Sequence, residues 1–174
     1  MIKNKLIKMN ILFHIPTSLS TPEFEILLSK AQNLINEKKK VTILTCPGGK
    51  NYSCSINLYS NPLICSVCNY KKKKAFERVN GKYNLEYTNI DFPKKILSFK
   101  NLDELKKINF DDADIGLASY ASYLDNTKDY KLEGRISNKI LLNNLNTKIN
   151  LYIFYKKFIK KKIFGLVYIY NGRQ

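Results

Sequence analysis

The chain has no tryptophan and one histidine, His14, and only Arg78, Arg135 and Arg173 among its 30 basic residues are arginine. Without tryptophan, the large core side chains must come from nine phenylalanines and twelve tyrosines. With 44% hydrophobic residues over 174 positions, the chain can bury an ordinary core, which excludes wholesale disorder. Scarce arginine removes the planar guanidinium fork that suits phosphate and base recognition. Long apolar runs are also missing from the start. Lys8 and Asn10 interrupt the first hydrophobic residues and Pro16 ends them, so neither a signal peptide nor a membrane span is expected there. A cytoplasmic protein with reduced thiols follows as the expectation.

Acidic residues are few: 14 against 30 basic ones, a net charge of +16. Such a balance favours polyanion partners in general. Here lysine, asparagine and isoleucine are abundant together, and a solvated lysine-rich surface accounts for the charge more simply than a dedicated polyanion site.

The remaining pattern alternates strand and helix. Met9–Ile15 (MNILFHI) is an apolar run suited to a buried parallel strand. Pro16–Ser20 reads as a turn, and Thr21, Pro22 and Glu23 as an N-cap, a first-turn proline and an early acid. Phe24, Leu27, Leu28, Ala31, Leu34 and Ile35 recur at helical spacing, with cations from Lys38 onward at the helix's negative end. Val41–Cys46 (VTILTC) is the next strand, completing a strand–helix–strand crossover. Residues 46–75 read as a long irregular cysteine-rich loop that needs its own source of order, merging into a helix expected over Ser66–Val79. An extended stretch follows around Tyr83–Phe92, then a short helix over Leu102–Ile108 and a loop entering a helix over Asp111–Tyr123. Ile136, Ile140, Leu141, Leu145, Ile149, Tyr152, Ile153 and Phe158 trace a long amphipathic helix. Phe164–Tyr170 (FGLVYIY) is expected as another buried parallel strand, and no internal repeat is visible.

Cys46, Cys54, Cys65 and Cys68 are the only cysteines, and they fall within one short region. Cys65 and Cys68 have the CxxC spacing that lets two thiolates reach one metal. With Cys46 and Cys54 they could surround a structural, tetrahedral Zn2+ that fastens the loop. Lys50 and Lys71–Lys74 would moderate the charge of four thiolates. Inert thiols, disulfides, a redox CxxC and an iron–sulfur cluster are the alternatives this spacing leaves open.

Other candidate groups are scattered. His14, near the carboxyl end of the first strand, could act as general base on an acceptor hydroxyl; packing in an apolar strand is the simpler role. Asn171, Gly172 and Arg173 follow the last strand, where glycine allows close approach and arginine can clamp a phosphate or carboxylate; a frayed terminus explains them equally well. Ser119 and Ser122 could bond a sugar hydroxyl. Asp111, Asp112 and Asp114 are an acidic helix entry before they are a metal cluster. The lysines from Lys156 to Lys162 could rest on an anionic membrane.

An ordered set of segments carries a family resemblance. It comprises Val41–Cys46 with Gly48, Cys54, Asn61–Cys68, then Ile115–Ser119 with Ser122 and Asp129, and finally Val167–Arg173. In order and approximate spacing these resemble the N-terminal domain of bacterial surface-polysaccharide (capsule or lipopolysaccharide) glycosyltransferases of the two-Rossmann GT-B type. The resemblance agrees with the α/β fold read from the strand–helix alternation, one Rossmann-like parallel sheet over residues 1–174 flanked by helices, to which the cysteine spacing adds a cysteine-rich metal-binding loop insertion at 46–75. It implies an acceptor-side domain taking a sugar or lipid-linked acceptor, with the nucleotide-sugar held by a C-terminal donor domain. That domain is absent from this sequence, so a fragment, or a partner of a separately encoded donor half, is expected. Peripheral contact with the inner face of the cytoplasmic membrane would suit a lipid-linked acceptor. The competing reading is a non-enzymatic, zinc-stabilised basic module that binds nucleic acid, with Lys71–Lys74 beside Tyr70 and Phe76 as its footprint.

Overall fold

A computed structural model describes residues 9–48, 54, 56, 57, 59–88, 97–129 and 135–169, with backbone alone for Thr21 and residues 135–138. In chain order the elements are β1 (Asn10–His14), α1 (Thr21–Asn36), β2 (Lys40–Thr45), α2 (Pro62–Phe76), β3 (Asn84–Tyr87), α3 (Leu102–Lys106), α4 (Ile115–Thr127), α5 (Arg135–Lys161) and β4 (Leu166–Ile169). The strands form one four-stranded sheet in the order β3-β2-β1-β4, with every pairing parallel. A parallel α/β sheet with flanking helices is what the alternation of short apolar runs and amphipathic segments predicts.

The chain divides into two compact units. The first holds the whole sheet with α1, most of α2 and the last residues of α5. Its core is built by the strand period of two: Ile11, Phe13 and Ile15 of the β1 segment and Val41 and Ile43 of β2 point to one face. Phe24, Leu27, Ala31 and Ile35 from α1 and Phe76 from α2 cover that face. Phe13 stacks on Tyr168 of β4 at 4.6 Å between ring centroids. Leu12, His14, Thr42 and Leu44, which point the other way, are buried too.

The second unit holds α3, α4, most of α5 and the start of α2. Leu141, Leu145 and Ile149 of α5, spaced one turn apart, pack with Leu105 of α3 and with Ile115 and Tyr123 of α4. The helical period in the sequence and the buried stripe coincide. Among the described residues, no helix is long and apolar enough to cross a membrane.

Local expectations need correction at four places. Ser20, not Thr21, is the N-cap of α1, and its hydroxyl bonds Glu23. The helix stops at Asn36, so Lys38–Lys40 lie beyond its last turn; Lys38 takes the left-handed conformation (φ 61°) that turns the chain into β2. Helix α2 starts four residues before Ser66: Asn61 accepts the Leu63 amide at 2.9 Å and Pro62 occupies the first turn. Cys65 therefore joins Cys68 on the helix instead of lying in the loop. Strand β4 is parallel as expected but not buried, since Leu166, Val167 and Ile169 are exposed. It pairs only with β1 among the described residues, and a sheet's edge strand lacks the second neighbour that would cover it.

Candidate functional site

In an open parallel sheet the carboxyl ends of the strands are where a ligand is first sought. From β1 the chain steps outward to β2 and β3, then returns to lay β4 on the other side of β1. The chain thus leaves β1 toward β2 on one side while β4 lies on its other side, and open α/β sheets bind ligands at the carboxyl ends of strands where the order reverses. The β1 side of this edge is His14, the Ile15–Ser20 loop and the amino end of α1. The β4 side continues into Asn171, Gly172 and Arg173, which lie outside the described residues.

Helix α2 closes the neighbouring part of the edge through residues one turn apart. The Ser18 amide donates to Cys68 Sγ at 3.5 Å, and Thr17 Oγ1 lies 3.5 Å from the same sulfur. Ser18 Oγ donates to the Cys68 carbonyl at 2.8 Å, with the sulfur 3.6 Å away. Asn69 Nδ2 donates to the Pro47 carbonyl at 3.0 Å, and Lys72 Nζ donates to the Cys46 carbonyl. These contacts tie α2 to the ends of both central strands. Thr45 joins the strands themselves, donating its hydroxyl to the Ile15 carbonyl at 2.7 Å.

The thiol of Cys68 is electrostatically distinct. Burial pushes its pKa up, but the Ser18 amide, the Thr17 and Ser18 hydroxyls and the Lys72 ammonium together outweigh burial and hold it below the ordinary thiol value. Lys72 is itself buried, at 4% exposure, with Lys71, Lys73 and Lys74 exposed around it. A run of four lysines that reads as one solvated face therefore divides, with one member anchored to a strand end.

The remaining cysteines occupy their own surroundings. Cys54 forms an isolated antiparallel bridge with Asn57. Asn57 is buried; its Nδ2 donates to the Asn61 carbonyl at 2.8 Å and to Cys65 Sγ at 3.2 Å, while its Oδ1 accepts the Asn61 amide at 2.7 Å. All four cysteines are half-buried. Among the described residues, which include all four, no three His, Cys, Asp or Glu side chains are gathered as a metal ion would need. The four-sulfur zinc set thus rests on sequence spacing.

His14 is 8% exposed at the end of β1, and burial pushes its pKa down to about 4. The imidazole is neutral at neutral pH but a weak base, so its environment suits packing better than proton abstraction. Ser119 is fully buried in the helical unit, where its hydroxyl donates to the Ile115 carbonyl at 2.7 Å and its carbonyl accepts Asn144 Nδ2 at 3.1 Å. Those partners make it a packing residue of α4 and close it to a sugar. Ser122 is half-buried on α4, and its carbonyl accepts Asn126 Nδ2 at 2.8 Å. Asp111 pairs with Lys156 at 2.5 Å, and Asp114 is the N-cap position of α4, in keeping with an acidic helix entry.

Thr17, Ser18 and Lys72 organise the strand ends and Asn57 the surroundings of Cys65; sequence reasoning named Lys72 only within the Lys71–Lys74 run and the other three not at all. For Thr17 and Ser18 a signal existed: small hydroxyl residues directly after a buried strand stand at a carboxyl edge. For Asn57 there was none, because it lies in no pattern; the run Lys71–Lys74 pointed toward the cysteines without marking Lys72 as its buried member. The chain matches no protein-family model, no curated protein and no solved structure.

Proposed function

We propose that this chain is the acceptor-side half of a glycosyltransferase of envelope polysaccharide assembly, with a Rossmann-like sheet that takes its acceptor at the carboxyl edge between β1 and β4. The observation that supports it most is the strand order β3-β2-β1-β4, in which the Ile15–Ser20 loop leaves β1 between strands that lie on its two sides. Thr17 is half-buried at that edge, with Ser18 held beneath it on Cys68, and the amino end of α1 adds the positive end of a helix dipole. Such a site holds and orients a polyhydroxylated or phosphate-bearing acceptor. The nucleotide-sugar donor belongs to a further or separately encoded domain in this reading. Structural Zn2+ on Cys46, Cys54, Cys65 and Cys68 belongs to it as well, supported by their spacing, and its measure is zinc per chain.

Titration with polyisoprenyl-diphosphate-linked mono- and disaccharides in detergent, followed by calorimetry, tests the proposal. Saturable binding that Thr17→Tyr abolishes, with no binding of free nucleotide-sugars, is the expected result. Absence of acceptor binding together with salt-sensitive binding to RNA would replace this reading with that of a basic nucleic-acid module.

A further inference from the structure

Ile163 is 90% exposed, more than any other large apolar side chain among the described residues. It stands in the turn between α5 and β4. Ile159, one turn back on α5, is 47% exposed, and Leu166 and Val167 at the start of β4 are 38% exposed each. A stacked pair, Phe158 on Phe164 at 5.6 Å between ring centroids, braces the turn and takes both aromatic rings. The isoleucines are left outside.

The charge carried by this stretch of sequence has one sign. No aspartate or glutamate occurs after Glu133 in the sequence. Of the five lysines from Lys156 to Lys162, two are neutralised: Lys156 by Asp111 and Lys162 by Glu86. Lys157, Lys160 and Lys161 are exposed and make no ion pair among the described residues.

We propose that this turn docks end-on against an anionic lipid surface, Ile163 at its tip entering the boundary of the acyl chains while Lys160 and Lys161 around it meet the headgroup phosphates. Aliphatic side chains have no hydrogen bonds to lose there, and the lysine stems reach outward from an apolar footing to keep their ammonium groups wet. Lysine suits a phosphate surface that asks for charge without fixed geometry. Nucleic acid fits less well, because the turn carries no arginine and its phenylalanines are packed on each other instead of open for base stacking. The inference is independent of the transferase reading, and either can fail alone.

Flotation of the full chain with vesicles decides it. Binding is expected to vesicles of phosphatidylcholine with phosphatidylglycerol, to be lost at high salt, and to be absent with phosphatidylcholine alone. Ile163→Gln should lower the partition about tenfold through lost apolar burial. Lys160→Gln and Lys161→Gln should each lower it about fivefold. These positions are exposed, and an unchanged far-ultraviolet spectrum would confirm that the variants fold. No flotation with anionic vesicles at low salt overturns the proposal. So does flotation that ignores Ile163→Gln, which would indicate charge alone or a protein-binding face.

Discussion

In the sheet unit the buried backbone groups satisfy one another. β1 lies between β2 and β4, β2 between β1 and β3, and the ladder continues past the strand ends through Ile15 N to Leu44 O and Thr88 N to Thr45 O, both at 2.8 Å. The helical unit relies instead on side-chain amides. Asn101 caps α3 by accepting the Glu104 amide at 2.9 Å. Asn146 of α5 accepts the Leu97 amide at 3.1 Å, and Asn144 reaches the Ser119 carbonyl from inside the core. Tyr123 donates to Asp129 at 2.6 Å beside the end of α4. A parallel sheet repeats one bonding pattern, so no single side chain carries it. Short helices cannot hold themselves in water, and α3 has five residues, so specific polar side chains must fasten them. The sheet unit should therefore tolerate substitution by type, whereas the helical unit should be sensitive by position.

Two glycines give the widest separation. At Gly116, in the first turn of α4, an added methyl would land on the Leu105 carbonyl oxygen, which belongs to the backbone of α3 and cannot step aside. At Gly165 in the sheet unit an added methyl meets only the flexible side chain of Met9, itself 44% exposed. Gly116→Ala should cost at least about 3 kcal/mol in urea denaturation and Gly165→Ala less than about 1 kcal/mol. Equal costs would break the distinction between the units.

A smaller effect is specific to the sheet. His14 is held near pKa 4 when folded and returns to its ordinary value of 6.5 when unfolded. The unfolded chain then binds more protons below that value, so stability falls as pH drops. The contribution is fully present above the unfolded pKa, is lost progressively toward the folded one, and amounts to about 2 kcal/mol between about pH 7 and pH 5. His14→Gln should remove that portion of the pH dependence, read as the difference in denaturation midpoints at the two pH values. If both proteins lose stability in parallel, folding does not lower the pKa of the imidazole.

Asn144→Ala sharpens the helical side of the comparison. It withdraws a buried donor from the Ser119 carbonyl and should cost about 1–2 kcal/mol, visible in the same urea titration. Lys156→Ala should be the mildest change. Its pair with Asp111 is exposed on both sides, and such pairs contribute less than about 1 kcal/mol. A thermal melt within a few degrees of the parent's would agree.

Much of the framework was legible because its signals are local. The apolar runs at Ile11–Ile15 and Val41–Leu44, the stripe through Phe24, Leu27, Ala31 and Ile35, and the longer stripe through Leu141, Leu145 and Ile149 each repeat with the period of the element they form. The start of α2 was legible as well, since asparagine followed by proline is a helix-start signal. Ser119 and Lys72 were not legible. Both are polar residues that local sequence places on a surface, and both are buried because of what faces them: Asn144 of α5 for one, the Cys46 carbonyl for the other.

The order of apolar and polar residues along the chain determined which segments are strands and helices, and that the strands are parallel, because hydrophobic periodicity and crossover length act within one segment and its neighbours. Tertiary structure alone decided that β4 lies at an edge beside β1, that Lys72 belongs to a strand end, and that Ile163 is left outside. Those outcomes depend on which surfaces meet, and residues far apart in sequence settle that by packing and by the pairing of buried polar groups.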